Sequence, residues 1–181
     1  MKLLALALLL AVALLASPVQ GQEPVCMPKA TGFTWASMPI RYRVVDPELR
    51  EDVRRAAAYW RSPALVFEET EDPNAWSTIR LGPTYQWGLW IMGVTWWDLY
   101  PDTTHYRSFV ITISDRLAKE SREKVLVHEL GHAIGLSHPY PDCPETVLSQ
   151  ITYRDGLYPG DVIARDRIYP TAHRLFLPHL P

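Results

Sequence analysis

The sequence has few cysteines, a single asparagine and almost no net charge. It contains two cysteines and one asparagine, and its formal net charge is −2 over 181 residues. A charge so close to zero argues against nucleic acid or an anionic membrane surface as a partner. Because Asn74 is followed by Ala75 and Trp76, the chain has no N-glycosylation sequon. It also has no internal repeat and, beyond its N-terminus, no low-complexity segment.

Only one stretch of the chain is a long apolar run, and it lies at the N-terminus. Lys2 is followed by unbroken apolar residues at positions 3–16, and small residues at positions 19–21 allow cleavage before Gln22. This order is typical of a secretory signal peptide, and the run is shorter than the ~20 residues that a membrane span requires. We therefore predict a signal peptide over residues 1–21 and a secreted or periplasmic monomer without a membrane anchor.

The remainder of the chain has the size and the pattern of one α+β domain. Removing 21 of 181 residues leaves 160, which fits a single hydrophobic core. We predict an irregular, proline-bearing leader over residues 22–32, a domain over residues 33–170 and a tail over residues 171–181. Strands and helices in the predicted order indicate an α+β fold with a mixed sheet.

Hydrophobic periodicity places the elements within this domain. A first strand is predicted at residues 40–45, and Asp46 is predicted to cap the helix that follows, with Pro47 at its first position. That helix has apolar residues at helical spacing, namely Leu49, Val53, Ala56, Ala57 and Trp60. Further strands are predicted at residues 65–69, 78–81, 89–96 and 109–113, and further helices at residues 120–134 and 161–169.

One segment carries a specific chemical pattern, H-E-x-x-H-x-x-G-x-x-H, between His128 and His138. His128 and His132 are four residues apart, so both project from the same face of a helix and can bind one cation. Gly135 permits a left-handed turn that ends the helix, and the returning chain delivers His138 as a third ligand. At average residue usage this pattern arises by chance in about 1 of 100,000 chains of this size.

These residues predict a catalytic zinc site. Three imidazoles leave the fourth tetrahedral position of Zn²⁺ open to water, whereas a structural zinc site has four protein ligands. Glu129 follows the first ligand and can reach that water as a general base without binding the metal. The other histidines, His105, His173 and His179, are scattered along the chain and do not indicate a second zinc site.

The chain resembles the metzincin clan of zinc endopeptidases and, within that clan, the bacterial matrixins. Besides the zinc motif, the resemblance rests on the segments from Trp35 to Trp60 and from Leu157 to Tyr169, and it covers residues 33–170. It implies a mixed, mostly parallel twisted sheet, an active-site helix carrying the zinc motif and a C-terminal helix. It also implies that an extended peptide binds along an edge strand above the zinc, for which residues 89–97 are the candidate.

Two positions depart from the metzincin pattern. Metzincins are named for a methionine in a turn beneath the zinc, and Leu148 stands at its place. Because leucine and methionine have similar volumes, we expect the turn to persist. Some relatives have an additional tyrosine ligand where this chain has Gln150, so three protein ligands plus water are expected. The nearby Tyr153 contacts either the substrate or the protein interior.

Two features of the surrounding sequence leave alternatives open. Aromatic residues are dense between Trp76 and Trp97, and they serve either core and sheet packing or a peptide-binding cleft. Many relatives bind calcium, for which the available carboxylates here are Asp98, Asp102 and Asp115. These three do not form a dense ligand loop, so the sequence does not support calcium binding.

Motif and resemblance together predict a secreted endopeptidase that hydrolyses peptide or protein substrates, with one Zn²⁺ and Glu129 as general base. The alternative is a secreted binding or structural module that keeps the zinc for stability and has lost turnover. Leu148 favours this alternative because it replaces the methionine. Glu129 favours the enzyme, since a purely structural site has no use for a general base.

The two cysteines allow two interpretations. An exported protein with exactly Cys26 and Cys143 favours one disulfide between them. Alternatively, residues 24–28 resemble the matrixin leader in which a propeptide cysteine binds the zinc and keeps the enzyme latent. The spacing matches that motif poorly, and its arginine and acidic residue are missing. We therefore predict the disulfide, which would hold the leader beside the zinc site.

Overall fold

The computed structural model describes residues 26–88, 90–150 and 155–171. The predicted signal peptide, all of the predicted tail except its first residue, and Tyr153 lie outside these ranges. Within them, none of the helices is long and apolar enough to cross a membrane.

The described residues form eight strands and three α-helices. The strands are β1 (Lys29–Ala30), β2 (Thr34–Trp35), β3 (Ile40–Val44), β4 (Phe67–Glu69), β5 (Thr78–Gly82), β6 (Gly93–Leu99), β7 (His105–Ser114) and β8 (Leu136–Ser137). The helices are α1 (Arg50–Trp60), α2 (Lys119–Ala133) and α3 (Pro159–Ile168). The zinc motif therefore begins within α2 and ends just beyond β8, as the sequence predicts for an active-site helix.

Six of the strands form one mixed sheet with the order β2-β7-β5-β3-β4, and β6 pairs with β7. Every pairing along that order is parallel, whereas β6 is antiparallel to β7. β1 and β8 form a separate antiparallel pair. The α+β class with a mixed, mostly parallel sheet is thus confirmed.

The core lies between the sheet and helices α1 and α2. All five apolar residues predicted to form one face of the first helix are buried, namely Leu49, Val53, Ala56, Ala57 and Trp60. The indole of Trp60 also donates a hydrogen bond of 2.8 Å to the carbonyl oxygen of Val127. Because Val127 precedes His128, this buried contact fixes the backbone of α2 where the zinc motif begins.

Three local predictions are corrected by the structure. The carboxylate of Asp46 does not cap the helix through its side chain; it accepts a hydrogen bond of 2.7 Å from the backbone N–H of Leu81. The Asp46 carboxylate bonds to Leu81 instead of to the helix because β3 and β5 run side by side and bring Leu81 next to the end of β3. Within the leader predicted to be irregular, Lys29–Ala30 forms a strand because β8 offers it a partner. Within the predicted strand at 89–96, the observed strand begins at Gly93, and the backbone N–H of Ile91 donates to the carbonyl oxygen of Gly88 rather than to a neighbouring strand.

Candidate metal centre and catalytic site

The zinc motif occupies the second half of α2 and the turn that follows. His128 and Glu129 are 4% and 2% exposed, so both side chains lie inside the domain. After the helix ends, Gly135 has a φ of +95°, in the left-handed region that favours glycine. A Cβ atom there would also lie 2.5 Å from the carbonyl oxygen of Phe33. This turn lets the chain reverse direction and bring His138 back to the helix.

The three predicted zinc ligands come together with their Nε2 atoms facing one another. The Nε2 atom of His128 lies 3.1 Å from that of His132 and 3.2 Å from that of His138. A tetrahedral zinc ion with Zn–N bonds of 2.0–2.1 Å has N···N edges of about 3.3 Å. The arrangement therefore fits a single zinc ion. Among the described residues this is the one group of three or more His, Cys, Asp or Glu side chains close enough to share a metal ion.

The opposite ring nitrogen of each histidine has its own hydrogen-bond partner. Nδ1 of His128 donates to the carbonyl oxygen of Val147 at 2.7 Å, and Nδ1 of His132 donates to that of Leu136 at 2.8 Å. Nδ1 of His138 lies 3.2 Å from the side-chain amide of Gln150. The carbonyl partners of His128 and His132 set the tautomer and orientation of these two rings, and they leave both Nε2 lone pairs for a metal.

Burial keeps these imidazoles neutral. It holds the pKa of His128 well below its ordinary value and lowers that of His132 to about 4. Burial also lowers the pKa of His138, although the negative charge of Asp142 acts in the opposite direction. Because only an unprotonated ring nitrogen can bind a metal, all three are ready ligands at neutral pH.

Glu129 lies beside the first histidine and is nearly enclosed. Its carboxylate oxygen Oε2 accepts a hydrogen bond of 2.7 Å from the hydroxyl of Thr95 on β6. Burial raises the pKa of Glu129 to about 7, and the Thr95 hydrogen bond partly offsets this effect. A carboxyl group with a pKa near neutrality can both accept and return a proton.

The histidines and Glu129 line an open cleft of about 440 Å³ beneath β6. Trp97 forms one wall: its indole donates to the carbonyl oxygen of His132 at 3.0 Å and stacks on Tyr106 at 6.2 Å between ring centroids. Trp90 lines the same cleft, and 87% of its surface is exposed. The aromatic segment between Trp76 and Trp97 was expected to serve either packing or a cleft, and Trp90 and Trp97 line a cleft.

Leu148 forms the hydrophobic floor beneath the helix, as predicted from its place in the family pattern. Its side chain is fully buried. A Cβ atom added to Gly131 would lie 2.9 Å from a methyl group of Leu148 and 2.7 Å from the ring of Trp60. The leucine therefore packs directly against α2 between the first two histidines.

Asp161 is a residue of this site that sequence reasoning missed, because it was identified only as the start of the last helix. Its buried carboxylate accepts hydrogen bonds from the Thr146 hydroxyl and from the backbone N–H groups of Val147 (3.1 Å) and Tyr158 (2.9 Å). Burial raises its pKa. Since the carbonyl oxygen of Val147 orients His128, Asp161 holds the turn that sets the first ligand.

Cys26 and Cys143 form a disulfide, with 5.9 Å between their Cα atoms. The leader then continues as β1, which pairs with β8 immediately before His138. Cys26 is thereby tied to the loop after the third histidine, as the disulfide interpretation predicted. The bridge holds the leader along the segment that delivers His138.

We expect thiol titration of the unfolded, unreduced protein to find no free thiol, and to find two after reduction. Because the bridge joins residues 117 apart, the chain-entropy model assigns it up to about 4–5 kcal/mol of stability. Reduction should therefore lower the melting temperature of the wild type, whereas it should not change that of a Cys26→Ser/Cys143→Ser double variant. Two titratable thiols before reduction would contradict the pairing.

The carboxylates considered for calcium do not cluster. Asp98 forms an ion pair with Arg107 at 3.5 Å, and both Asp102 and Asp115 are exposed.

His105, one of the histidines outside the zinc motif, lies on β7, where its Nδ1 atom is 3.4 Å from the hydroxyl of Thr34. Within the described part of the chain, neither His105 nor any of the three aspartates joins the histidine cluster.

No protein-family model matches the sequence, and no curated protein matches it. Among solved structures, a crystal structure of myroilysin is similar at 11% sequence identity and a TM-score of 0.49, over 81% of this chain and 86% of that chain. A second structure of myroilysin is similar at 12% identity and a TM-score of 0.47, over 80% of this chain and 96% of that chain. High choriolytic enzyme 1, a hatching enzyme zinc-protease from Oryzias latipes (medaka fish), is similar at 10% identity and a TM-score of 0.42, over 82% of this chain and 96% of that chain.

Proposed function

We propose that this protein is a secreted zinc-dependent endopeptidase. The observation that carries the proposal is the convergence of three neutral imidazoles, with N···N distances of 3.1 and 3.2 Å, beside the buried carboxylate of Glu129 in one open cleft. A structural zinc site would be closed by a fourth protein ligand, whereas three ligands leave one coordination position for chemistry. The metzincin clan fits this arrangement, and the narrower matrixin assignment remains a prediction.

In this function His128, His132 and His138 hold the metal. When bound, zinc supplies a Lewis acid that lowers the pKa of water toward ~7 and stabilises negative charge on the scissile carbonyl oxygen. Glu129 accepts a proton from the attacking water and passes it to the leaving amine.

The peptide substrate binds along β6. Among the described residues this strand pairs only with β7, so its other edge has backbone N–H and C=O groups for an extended chain. Adding a strand to such an edge supplies affinity through the main chain, and side-chain pockets supply preference. Trp90, which precedes β6, and Trp97, which lies on β6, line the same cleft as the histidines and Glu129.

The second candidate is a binding or structural module stabilised by zinc, and the replacement of the family methionine by Leu148 favours it. Two observations count against it. Leu148 fills the floor beneath α2, so the substitution leaves no cavity there. Burial of the Glu129 carboxylate also costs stability that a structural site would have no reason to accept.

Secretion is part of the proposal and rests on two features. The N-terminal segment has the order of a signal peptide. The Cys26–Cys143 disulfide requires an oxidising compartment, such as the periplasm or the outside of the cell.

An assay with fluorescein-labelled, denatured casein tests the function. We expect hydrolysis by the zinc-loaded protein, loss of hydrolysis when a chelator removes the metal, and recovery when zinc is added back. Metal content measured in parallel separates the two candidates. A protein that binds one zinc per chain but does not hydrolyse casein would support the structural module and contradict the enzyme.

A further inference from the structure

Alternate residues of β6 direct their backbone N–H and C=O groups away from β7, toward the free edge of the sheet. The N–H of Ser114 donates to the carbonyl oxygen of Met92 at 2.8 Å, which makes these two residues a hydrogen-bonded pair. In an antiparallel ladder such pairs alternate with pairs that are not hydrogen-bonded to each other. Following the register of β6 on β7, Gly93, Thr95 and Trp97 present N–H and C=O at the free edge.

Thr95 has a second contact that points into the domain. Its side chain is 6% exposed, and its hydroxyl lies 2.7 Å from Oε2 of Glu129 and 3.1 Å from the Glu129 carbonyl oxygen. Side chains of strand residues stand perpendicular to the direction of the backbone hydrogen bonds. One residue therefore offers its backbone to a peptide and its side chain to the proposed general base.

Gly93, two residues before Thr95 on the same strand, lies against the same carboxylate. A Cβ atom at Gly93 would lie 2.6 Å from Oε1 of Glu129 and 2.7 Å from a methyl group of Val125. The β6 backbone thus passes directly over Oε1, while the Thr95 hydroxyl holds Oε2. The Glu129 carboxylate therefore lies between Gly93 and Thr95, two alternate residues of β6 whose backbone groups face the free edge of the sheet.

We infer that Thr95 is a positioning residue that orients the Glu129 carboxylate from the edge strand on which a peptide would dock. The Thr95 hydroxyl holds Oε2 of Glu129, and the Gly93 backbone lies against Oε1, so both oxygens of the carboxylate are held by β6. The inference rests on the proposed function. It assigns Thr95 to the chemical step and leaves the affinity for the peptide to the backbone of β6.

The test compares variants of the zinc-loaded protein in the same casein assay. Thr95→Val keeps the shape and the β-branched side chain but removes the hydroxyl, and Thr95→Ser keeps the hydroxyl. Thr112→Val is the matched control, because Thr112 is a buried threonine on β7 that is in register with Val94 rather than Thr95. Zinc content, thermal melting, kcat and KM are measured for each variant.

We expect Thr95→Val to bind one zinc and to lower kcat about 10–100-fold, as misplacement of a catalytic group by ~1 Å does. KM should stay close to the wild-type value, since the backbone edge is unchanged. Thr95→Ser should restore most of kcat, and Thr112→Val should leave both constants near those of the wild type. A merely structural role for Thr95 would lower melting without this split between kcat and KM.

Other results contradict the inference in distinguishable ways. An active wild type with an unchanged kcat in Thr95→Val, or with an equal loss in Thr95→Ser, overturns the role of the hydroxyl and leaves the proposed function intact. A wild type that does not hydrolyse casein contradicts the proposed function and this inference together. If Thr95→Val does not fold, zinc-loaded Thr95→Ala and Thr95→Ser are compared: a loss confined to alanine supports the inference, and equal values overturn it.

Discussion

Replacement of Glu129 by alanine is expected to abolish peptide hydrolysis while leaving one zinc ion bound to each chain. Glu129 directly follows His128 in the sequence, but among the described residues the group that can hold a metal ion consists of the three imidazoles. Removal of a general base typically lowers the rate by about 10²–10⁴-fold, and the metal site itself should be unaffected. Metal analysis by mass spectrometry beside the casein assay measures both properties on one sample.

Glu129→Gln is the matched variant, because glutamine keeps the shape of the side chain and an oxygen that accepts the Thr95 hydrogen bond. It should be as inactive as Glu129→Ala and should melt closer to the wild type. A zinc-loaded, active Glu129→Ala protein would contradict the proposed mechanism. Loss of zinc in both variants would instead mean that the carboxylate belongs to the metal site.

The second large effect is expected at Leu148, where an aspartate should severely destabilise the zinc-loaded protein. Leu148 is fully buried against Gly131 and Trp60, so a carboxylate there would lose its hydration without gaining a partner. Burial of an uncompensated charge costs several kcal/mol in proteins after relaxation, a large share of the 5–15 kcal/mol that stabilise a typical domain. Thermal melting with zinc present measures the effect.

Leu148→Met is the control for volume and restores the residue for which the metzincins are named. Such swaps usually cost less than about 1.5 kcal/mol, which corresponds to a shift of a few degrees for a domain of ~150 residues. We therefore expect Leu148→Met to bind zinc and melt near the wild type. Near-identical melting of the aspartate and methionine variants would show that the floor beneath α2 does not depend on this side chain.

The local elements of the fold were predicted well where periodicity and burial agree. The apolar face of α1 was identified from spacing alone because its residues repeat at the pitch of a helix and all point to one core. Strand ends were predicted less accurately. β7 begins at His105, four residues before the predicted strand, because pairing with β2 and β6 extends it, and such pairing is not encoded in the strand's own sequence.

The predicted site residues were identifiable because they lie within one segment of the chain. The i, i+4 spacing of His128 and His132 on a helix places both on one face, and Gly135 turns the chain back for His138. These are short-range consequences of helix geometry and of glycine's backbone freedom. The spacing of the motif is therefore enough to indicate the metal, the number of ligands and the neighbouring carboxylate.

The sequence by itself determined the α+β class, the buried face of α1 and the four-residue constellation of His128, Glu129, His132 and His138. Only the tertiary structure decided which groups hold that constellation in place. Thr95 is 34 residues from Glu129, and Asp161 is 14 residues from Val147. A threonine in a strand and an aspartate in the first turn of a helix are common in any sequence. Their partners are chosen by the packing of separate elements, and a local pattern does not contain that packing.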